Sequence, residues 1–149
     1  MTMIAATLHT AAKQTLRWTA LAGATLVLGQ TTVLAEDTIS VLMKQRLADV
    51  AGKEVTLLTV DYAPGAASDP HVHPGSVIAY VLEGVVVSQL EGGEPVTYTK
   101  GQSWYESPKT PHLVSRNASK TQPARLLVYL LSQKGEAIKL PLKTPRSIK

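Results

Sequence analysis

A chain of 149 residues without a single cysteine has no disulfide bonds, and thiolates are excluded from any metal site that it builds. Its formal net charge of +4 is modest, and basic residues are not interleaved with aromatic ones, which argues against a nucleic-acid partner. The length suffices for one domain rather than two.

The N-terminal residues 1–35 have the pattern of a secretory signal. Lys13 and Arg17 supply the positive charge, Trp18–Gly29 is mostly apolar, and a cleavage site is predicted after Ala35. The apolar stretch is shorter than the ~20 residues of a membrane span. We therefore expect export to the periplasm or secretion, without stable membrane insertion once the signal is removed. The alternative is an uncleaved N-terminal anchor.

The mature chain would then consist of residues 36–149. Loss of Lys13 and Arg17 leaves thirteen of the fifteen basic residues against eleven acidic ones, so the remaining charge is small. The basic excess lies in residues 134–149, where lysines and an arginine alternate with prolines. This composition predicts a solvated, poorly ordered tail, with binding to an anionic surface as the alternative.

Short β-prone runs alternate with turn signals from residue 39 onward, the pattern of an all-β barrel or sandwich. Glycine, proline or asparagine occurs in the predicted turns, and Gly92-Gly93 between valine-rich runs is typical of a hairpin tip. Only Met43–Val50 has an ambiguous propensity for helix. The predicted strands are Ile39–Gln45, Lys53–Tyr62, Val77–Leu82, Val85–Leu90, Val96–Thr99, Ser103–Glu106, Leu113–Arg116 and Ala124–Leu131.

Three of the four histidines form two short clusters. His71 and His73 lie in the run 69–74, His112 follows a proline-flanked turn, and His9 falls in the predicted signal. Residues two apart on a strand point to the same face, so His71 and His73 can present both imidazoles to one point. A third imidazole from a neighbouring strand would complete a ligand set that keeps a metal position open. For an isolated pair of this kind, the alternative is surface decoration.

The spacing of these histidines and of nearby glycines resembles the two motifs of the cupin superfamily. The first motif usually runs Gly, five residues, His-x-His, three or four residues, Glu, six residues and Gly. The second usually runs Gly, Pro, Gly, His and Asn. The positions that keep this frame are Gly65, His71, His73, Gly84, Gly101, Pro108, His112 and Asn117. The resemblance spans residues 65–117, or about 39–133 with companion strands, and it implies a double-stranded β-helix (jelly-roll) barrel.

Two departures from these motifs concern the metal site. Val77 stands where the first motif supplies a metal-binding Glu, and the longer spacing gives Ile78; neither side chain coordinates a metal. Lys109 replaces the glycine of the second motif's turn, and Asn117 falls one place late. The resemblance therefore implies a site of three histidines without the usual carboxylate.

Two nearby glutamates are candidate replacements for that carboxylate. Glu83 belongs to a Leu-Glu-Gly turn, where a solvated side chain is more common. Glu106 ends a predicted strand, and the face that it occupies decides whether it is a ligand, a general base or a surface residue. Among the aromatic residues, Tyr80 and Trp104 are candidate cavity residues that could contact a small-molecule substrate. The alternative for both is that they fill core volume.

Imidazoles with at most one carboxylate suit several divalent ions, namely Fe, Mn, Zn, Ni and Cu. The resemblance implies dioxygenase-like chemistry with a redox-active metal, or lyase, isomerase or hydrolase chemistry with zinc. A non-catalytic protein that binds a metal or small ligand is the third hypothesis. A neutral ligand shell favours an anionic, chelating substrate. Because a small chain without disulfides gains from burying an edge strand, we also expect a homodimer with residues before Ala51 in the interface.

Overall fold

Antiparallel strands make up most of residues 36–142, the part of the chain that this computed structural model describes. The strands are β1 (Thr38–Arg46), β2 (Lys53–Tyr62), β3 (Ala67–Ser68), β4 (His71–Val72), β5 (Ser76–Glu83), β6 (Val85–Leu90), β7 (Val96–Thr99), β8 (Ser103–Glu106), β9 (Pro111–Asn117), β10 (Ala124–Gln133) and β11 (Leu140–Pro141). Over these residues we find no helix long and apolar enough to cross a membrane. The predicted signal, residues 1–35, lies outside the described residues.

The strands form two sheets whose neighbours are seldom consecutive in sequence. One sheet has five strands in the order β1-β2-β10-β5-β8. The other has six, in the order β11-β4-β9-β6-β7, with β3 paired to β9 outside this path. The predicted all-β architecture, a double-stranded β-helix or jelly roll, is confirmed.

The core lies between the sheets, and strand alternation determines which side chains enter it. On β5, Val77, Ala79 and Val81 are buried, whereas Ile78 and Tyr80 on the opposite face are exposed. Strand β10 alternates in the same way. Since the chain contains no phenylalanine, valine and leucine provide most of the buried volume, and each buried side chain of this size stabilises the fold by about 1.5–3 kcal/mol.

The predicted strands agree with the observed ones to within two residues, and four have identical bounds. The sequence does not reveal β3, β4 or β11, because two-residue strands are too short for periodicity to register. In the ambiguous segment Met43–Val50, the first four residues belong to β1.

The predicted tail, residues 134–149, is wrong in part. Leu140–Pro141 form β11, which pairs with β4, and the Leu142 amide donates a hydrogen bond to the Pro70 carbonyl at 3.2 Å. Ile138 packs against the core. The prediction fails because these backbone pairings leave no trace in a composition dominated by lysine and proline. The tail instead closes the end of the six-stranded sheet that carries two of the histidines.

Candidate metal centre

Antiparallel pairing of two distant segments brings the three histidines together. His71 on β4 is the direct cross-strand partner of His112 on β9, and His73 follows immediately after β4. All three side chains are buried. Each offers one ring nitrogen to a group whose members lie within 4.8 Å of one another. The cluster has the composition and spacing of a site that could hold a metal ion.

A turn before β9 ties the two histidine segments together through backbone contacts. The Lys109 amide donates a hydrogen bond to the His73 carbonyl at 2.7 Å. Lys109 has a φ of 62° and is the only non-glycine residue among residues 36–142 with positive φ. It stands where the second motif has glycine, the residue that adopts this conformation without a steric penalty. The motif's backbone geometry is therefore kept although its glycine is missing.

Hydrogen bonds fix the tautomers of the first two histidines. Nδ1 of His71 lies 2.6 Å from the Asp69 carbonyl oxygen, and Nδ1 of His73 lies 2.6 Å from the Ile138 carbonyl oxygen. A carbonyl only accepts, so both Nδ1 atoms carry the proton and both Nε2 atoms present lone pairs. These Nε2 atoms are 3.1 Å apart. Two lone pairs at this distance repel each other unless a cation lies beside them.

Protonation of the imidazoles does not relieve this repulsion at neutral pH. Burial lowers the pKa of His71 to about 4, and burial is also the main cause that lowers the pKa of His73. Both rings are therefore neutral, the form in which imidazole binds metals. A metal cation is the partner that this geometry suits.

The third histidine faces a buried carboxylate. Nε2 of His112 lies 2.8 Å from Ser88 Oγ, which leaves Nδ1 directed at Glu106 Oε2, 3.3 Å away. Among the buried side-chain atoms of residues 36–142, only His112 Nδ1 and Glu106 Oε2 lack a hydrogen-bond partner. An unsatisfied buried polar atom costs about 1–3 kcal/mol. A cation bound to both atoms would remove that cost.

Glu106 enters the site from the opposite sheet. It is 2 % exposed, and its Oε1 accepts a hydrogen bond from Trp104 Nε1 at 2.9 Å. Its Oε2 lies 3.7 Å from His73 Nε2. The cross-strand partner of Glu106 on β5 is Val77, the position where the first motif would supply its carboxylate. The site implied by the resemblance alone lacked a carboxylate, whereas the structure provides one from the neighbouring strand.

The environment of Glu106 favours its ionised form. Burial acts to raise its pKa, but the interactions with His112 and His73 and the hydrogen bond from Trp104 outweigh burial and hold the pKa below its ordinary value. Three imidazoles and one carboxylate thus converge, a donor set that suits divalent transition metals.

The cluster lies beside a small, mostly apolar cavity of about 40 Å³. Its apolar wall comes from β1, β2, β5 and β10, and it includes Leu58 and Val128. Tyr62 also lines it, with its hydroxyl 2.8 Å from both Ser68 Oγ and Ser115 Oγ. Since one water needs ~10–15 Å³ on this measure, the cavity admits a ligand of only a few atoms.

The aromatic candidates have different positions. Trp104 lines the cavity, stacks on Tyr98 at 4.5 Å between ring centroids, and donates to Glu106. The assignment of Tyr80 to the cavity is wrong: its side chain is 41 % exposed on the outer face of β5, because the alternation turns Ala79 inward. Glu83 is exposed and does not line the cavity.

Sequence reasoning missed several residues of the site. Tyr62 has no sequence pattern that separates it from the other four tyrosines of the chain, and Lys139 belonged to the predicted tail. Ser88 did carry a signal, since it interrupts the run Val85–Leu90 with a polar side chain. The complete set missed is Asp37, Tyr62, Ser68, Ser88, Ser115 and Lys139.

Comparisons with known proteins agree on the fold. The family described as "Cupin domain" matches residues 58–130. A cupin-like protein from Thermotoga maritima MSB8 is 21 % identical with a TM-score of 0.56, and the match covers 72 % of this chain and 77 % of that one. No curated protein sequence matches the chain.

Two enzymes are also similar in structure. An oxalate oxidase in complex with the substrate analogue glycolate is 23 % identical with a TM-score of 0.56, covering 71 % of this chain and 55 % of that one. The DMSP lyase DddQ from Ruegeria pomeroyi DSS-3 is 22 % identical with a TM-score of 0.52, covering 59 % and 43 %. The chain thus spans about half the length of these enzymes, and at such identities the likeness concerns the fold alone.

Proposed function

Because the chain belongs to the cupin family, we propose that it is a metal-dependent oxidoreductase of the dioxygenase type. Its ligands for a divalent metal are His71, His73, His112 and Glu106, and its substrate is a small, anionic, chelating molecule. One observation carries the proposal: ring nitrogens of three buried histidines converge beside a buried carboxylate, and two of the facing atoms, His112 Nδ1 and Glu106 Oε2, lack a hydrogen-bond partner within residues 36–142.

The charge and size of the site support the substrate class. One carboxylate balances only part of a 2+ charge, so an anionic ligand completes the neutralisation. The cavity of about 40 Å³ restricts that ligand to a few non-hydrogen atoms. The similar oxalate oxidase is in complex with the substrate analogue glycolate, a small anion of the size that we propose for this cavity.

The protein's own groups orient the ligand set. The carbonyl oxygens of Asp69 and Ile138 keep the protons on Nδ1 of the first two histidines, and Trp104 holds one oxygen of Glu106 so that the other faces His112. When bound, a redox-active metal supplies electron transfer to dioxygen, whereas zinc supplies Lewis-acid activation. The apolar wall limits the access of bulk water.

A metal-dependent lyase is the second candidate. It is favoured by the structural similarity to the DMSP lyase and by the unpartnered oxygen of Glu106, which could accept a proton if it does not bind the metal. A protein that only binds a metal or a small ligand is the third. Oxygen consumption distinguishes the oxidoreductase from both.

The test begins with metal analysis of protein purified without added metal. We expect about one metal ion per chain, and loss of this metal in the His112→Ala variant but not in Arg116→Ala, an exposed residue on the same strand. Oxygen uptake is then measured with oxalate and glycolate as ligands of the expected size, and with catechols, flavonols and diketones as larger chelating compounds for comparison. Metal-free protein that gains no thermal stability from added Fe²⁺, Mn²⁺, Zn²⁺, Ni²⁺ or Cu²⁺ would contradict the proposed site.

We also propose that the chain works outside the cytoplasm. The support is the signal pattern of residues 1–35. The intact mass of the protein recovered from the periplasm or medium should correspond to residues 36–149. Recovery of uncleaved protein from the membrane fraction would indicate the anchor instead.

A further inference from the structure

A second cavity adjoins the metal cavity on the side of the chain ends. This outer cavity has a volume of about 330 Å³. Its lining residues are Glu36, Asp37, Asp69, Pro70, His71, Lys139 and Pro141. Three of these residues, Asp37, His71 and Lys139, also line the metal cavity. A ligand that passes from the outer cavity to the histidines therefore meets an ion pair.

Lys139 is placed at this junction by Asp37. Its Nζ lies 3.2 Å from Oδ1 and 3.0 Å from Oδ2 of Asp37. The Asp37 side chain is 9 % exposed and that of Lys139 is 31 % exposed, so the ammonium remains accessible while its counter-ion is largely covered. An ammonium has three N–H donors, of which Asp37 engages at most two. At least one donor is free for a ligand.

Lys139 is the one cationic side chain available to bind an anionic ligand in the described part of the two cavities. Among the described residues that line either cavity, Lys139 is the only lysine or arginine. The remaining charges of the outer cavity are carboxylates, Glu36 and Asp69, which are exposed and therefore screened by water and salt. An anion that reaches the histidines can therefore contact one lysine side chain, that of Lys139, which lines both cavities.

We propose that Lys139 determines the specificity of the site for small dicarboxylates, with one carboxylate of the ligand at the histidine cluster and the other on the Lys139 ammonium. This inference rests on the proposed function and deepens it by naming the substrate class. Asp37 holds the ammonium in place and competes with the ligand for it. A monocarboxylate uses its single carboxylate at the histidine cluster, so it gains little from Lys139. A dicarboxylate gains a charge-assisted hydrogen bond in addition to its metal contact.

Substitutions can distinguish the proposed role of Lys139 in ligand binding from a purely structural role of its side chain. The segment that carries Lys139 is held by contacts that do not involve its side chain: Leu140 pairs with Val72, the Leu142 amide donates to the Pro70 carbonyl, and the Ile138 carbonyl accepts from His73 Nδ1. Lys139→Met keeps these contacts and the length of the side chain while removing the charge. Lys139→Arg keeps the charge and is the matched control.

The experiment measures oxalate binding to the metal-loaded protein by calorimetry, with the metal content of each sample determined first. We expect Lys139→Met to weaken oxalate binding by about tenfold to a hundredfold, the effect of losing one hydrogen bond to a charged group. Its metal content should equal that of the wild type, and its affinity for acetate should change much less. Lys139→Arg should retain most of the oxalate affinity, and Asp37→Asn should increase it.

The outcomes separate the two proposals. Unchanged oxalate affinity in metal-replete Lys139→Met would overturn the role of Lys139 and leave the metal site standing. A wild type that holds no metal would overturn the proposed function and, with it, the inference that depends on it. Equal losses for oxalate and acetate would assign Lys139 a general electrostatic effect and would also overturn the proposed specificity.

Discussion

The two sheets contribute different chemistry to one centre. The six-stranded sheet supplies all three imidazoles, through the paired strands β4 and β9 and the residue that follows β4. The five-stranded sheet supplies the carboxylate of Glu106 and much of the apolar wall. The imidazoles are positioned by cross-strand pairing, whereas the carboxylate stands on an edge strand and is oriented by Trp104. We infer that the histidines create the site and that the opposite sheet adjusts its charge.

Loss of a histidine should reduce metal affinity more than any other substitution, since the six-stranded sheet supplies most of the proposed ligands. We expect His112→Ala to reduce metal affinity by more than about a hundredfold, beyond the 10–100-fold typical of changes to groups behind the ligands. Removal of the metal with a chelator should lower the melting temperature of the wild type, because a ligand at 100 times its Kd stabilises a protein by about 2.7 kcal/mol. The same chelator should leave the melting temperature of His112→Ala unchanged. Calorimetric metal titration and thermal unfolding with and without chelator check both effects.

The contribution of the five-stranded sheet should be smaller. Glu106→Gln preserves the shape of the side chain and an acceptor for Trp104 but removes the negative charge, and we expect a loss of about 10–100-fold in metal affinity. Glu83→Gln, an exposed position on the same sheet, is the matched control and should change nothing. Equal metal affinity in the two variants would show that Glu106 is not part of the ligand set.

A second substitution sharpens the same prediction. Because Val77 is the cross-strand partner of Glu106, Val77→Glu should restore metal affinity in the Glu106→Gln background. In the wild-type background it should add little, since one carboxylate is already present. Burying a second carboxylate also lowers stability, so metal affinity is measured well below the melting temperature. Failure of the double variant to recover affinity would mean that the two positions are not equivalent at the metal.

The sequence predicts the chemistry of the six-stranded sheet better than that of the five-stranded one. The His-x-His pair needs only local alternation and a second cluster at a familiar separation, so three ligands could be identified. Trp104 and Glu106 share a strand face by the same alternation, but which face turns inward depends on the register with β5, a non-local property. Tyr80 was misassigned for that reason, because both faces of its strand are apolar.

The outer face of the five-stranded sheet carries exposed apolar side chains that suit a dimer interface. On the five-stranded sheet, one register row crosses all strands and is apolar throughout: Met43, Leu57, Tyr129, Ile78 and Tyr105. Four of these five side chains are exposed. The row ends on β1, a long, exposed edge strand of the kind that proteins usually cover. We propose that a second copy of the chain covers this face, with β1 in the interface.

A charge in the middle of the row should break this dimer. We expect a homodimer by light scattering at micromolar concentration for the wild type and a monomer for Ile78→Lys, because an unpaired charge at an interface is costly to desolvate. Leu113→Lys introduces the same charge at an exposed apolar position of the six-stranded sheet and should leave the dimer intact. A wild type that is already monomeric would refute the proposal.

The smallest expected effect concerns the turn that links the two histidine segments. The left-handed backbone conformation of Lys109 destabilises the fold by about 1–2 kcal/mol relative to glycine, which adopts it without steric conflict. Glycine loses part of this advantage, about 0.5–1 kcal/mol, through the greater freedom of the unfolded chain. We therefore expect Lys109→Gly to raise the melting temperature by roughly 1–4 °C. Lys120→Gly, at an exposed position without positive φ, should lower it instead. Glycine retains the backbone amide that donates to the His73 carbonyl, so the metal affinity should not change. If the substitution raised the melting temperature but lowered the metal affinity, the strained backbone at position 109 would have a role in positioning the histidines.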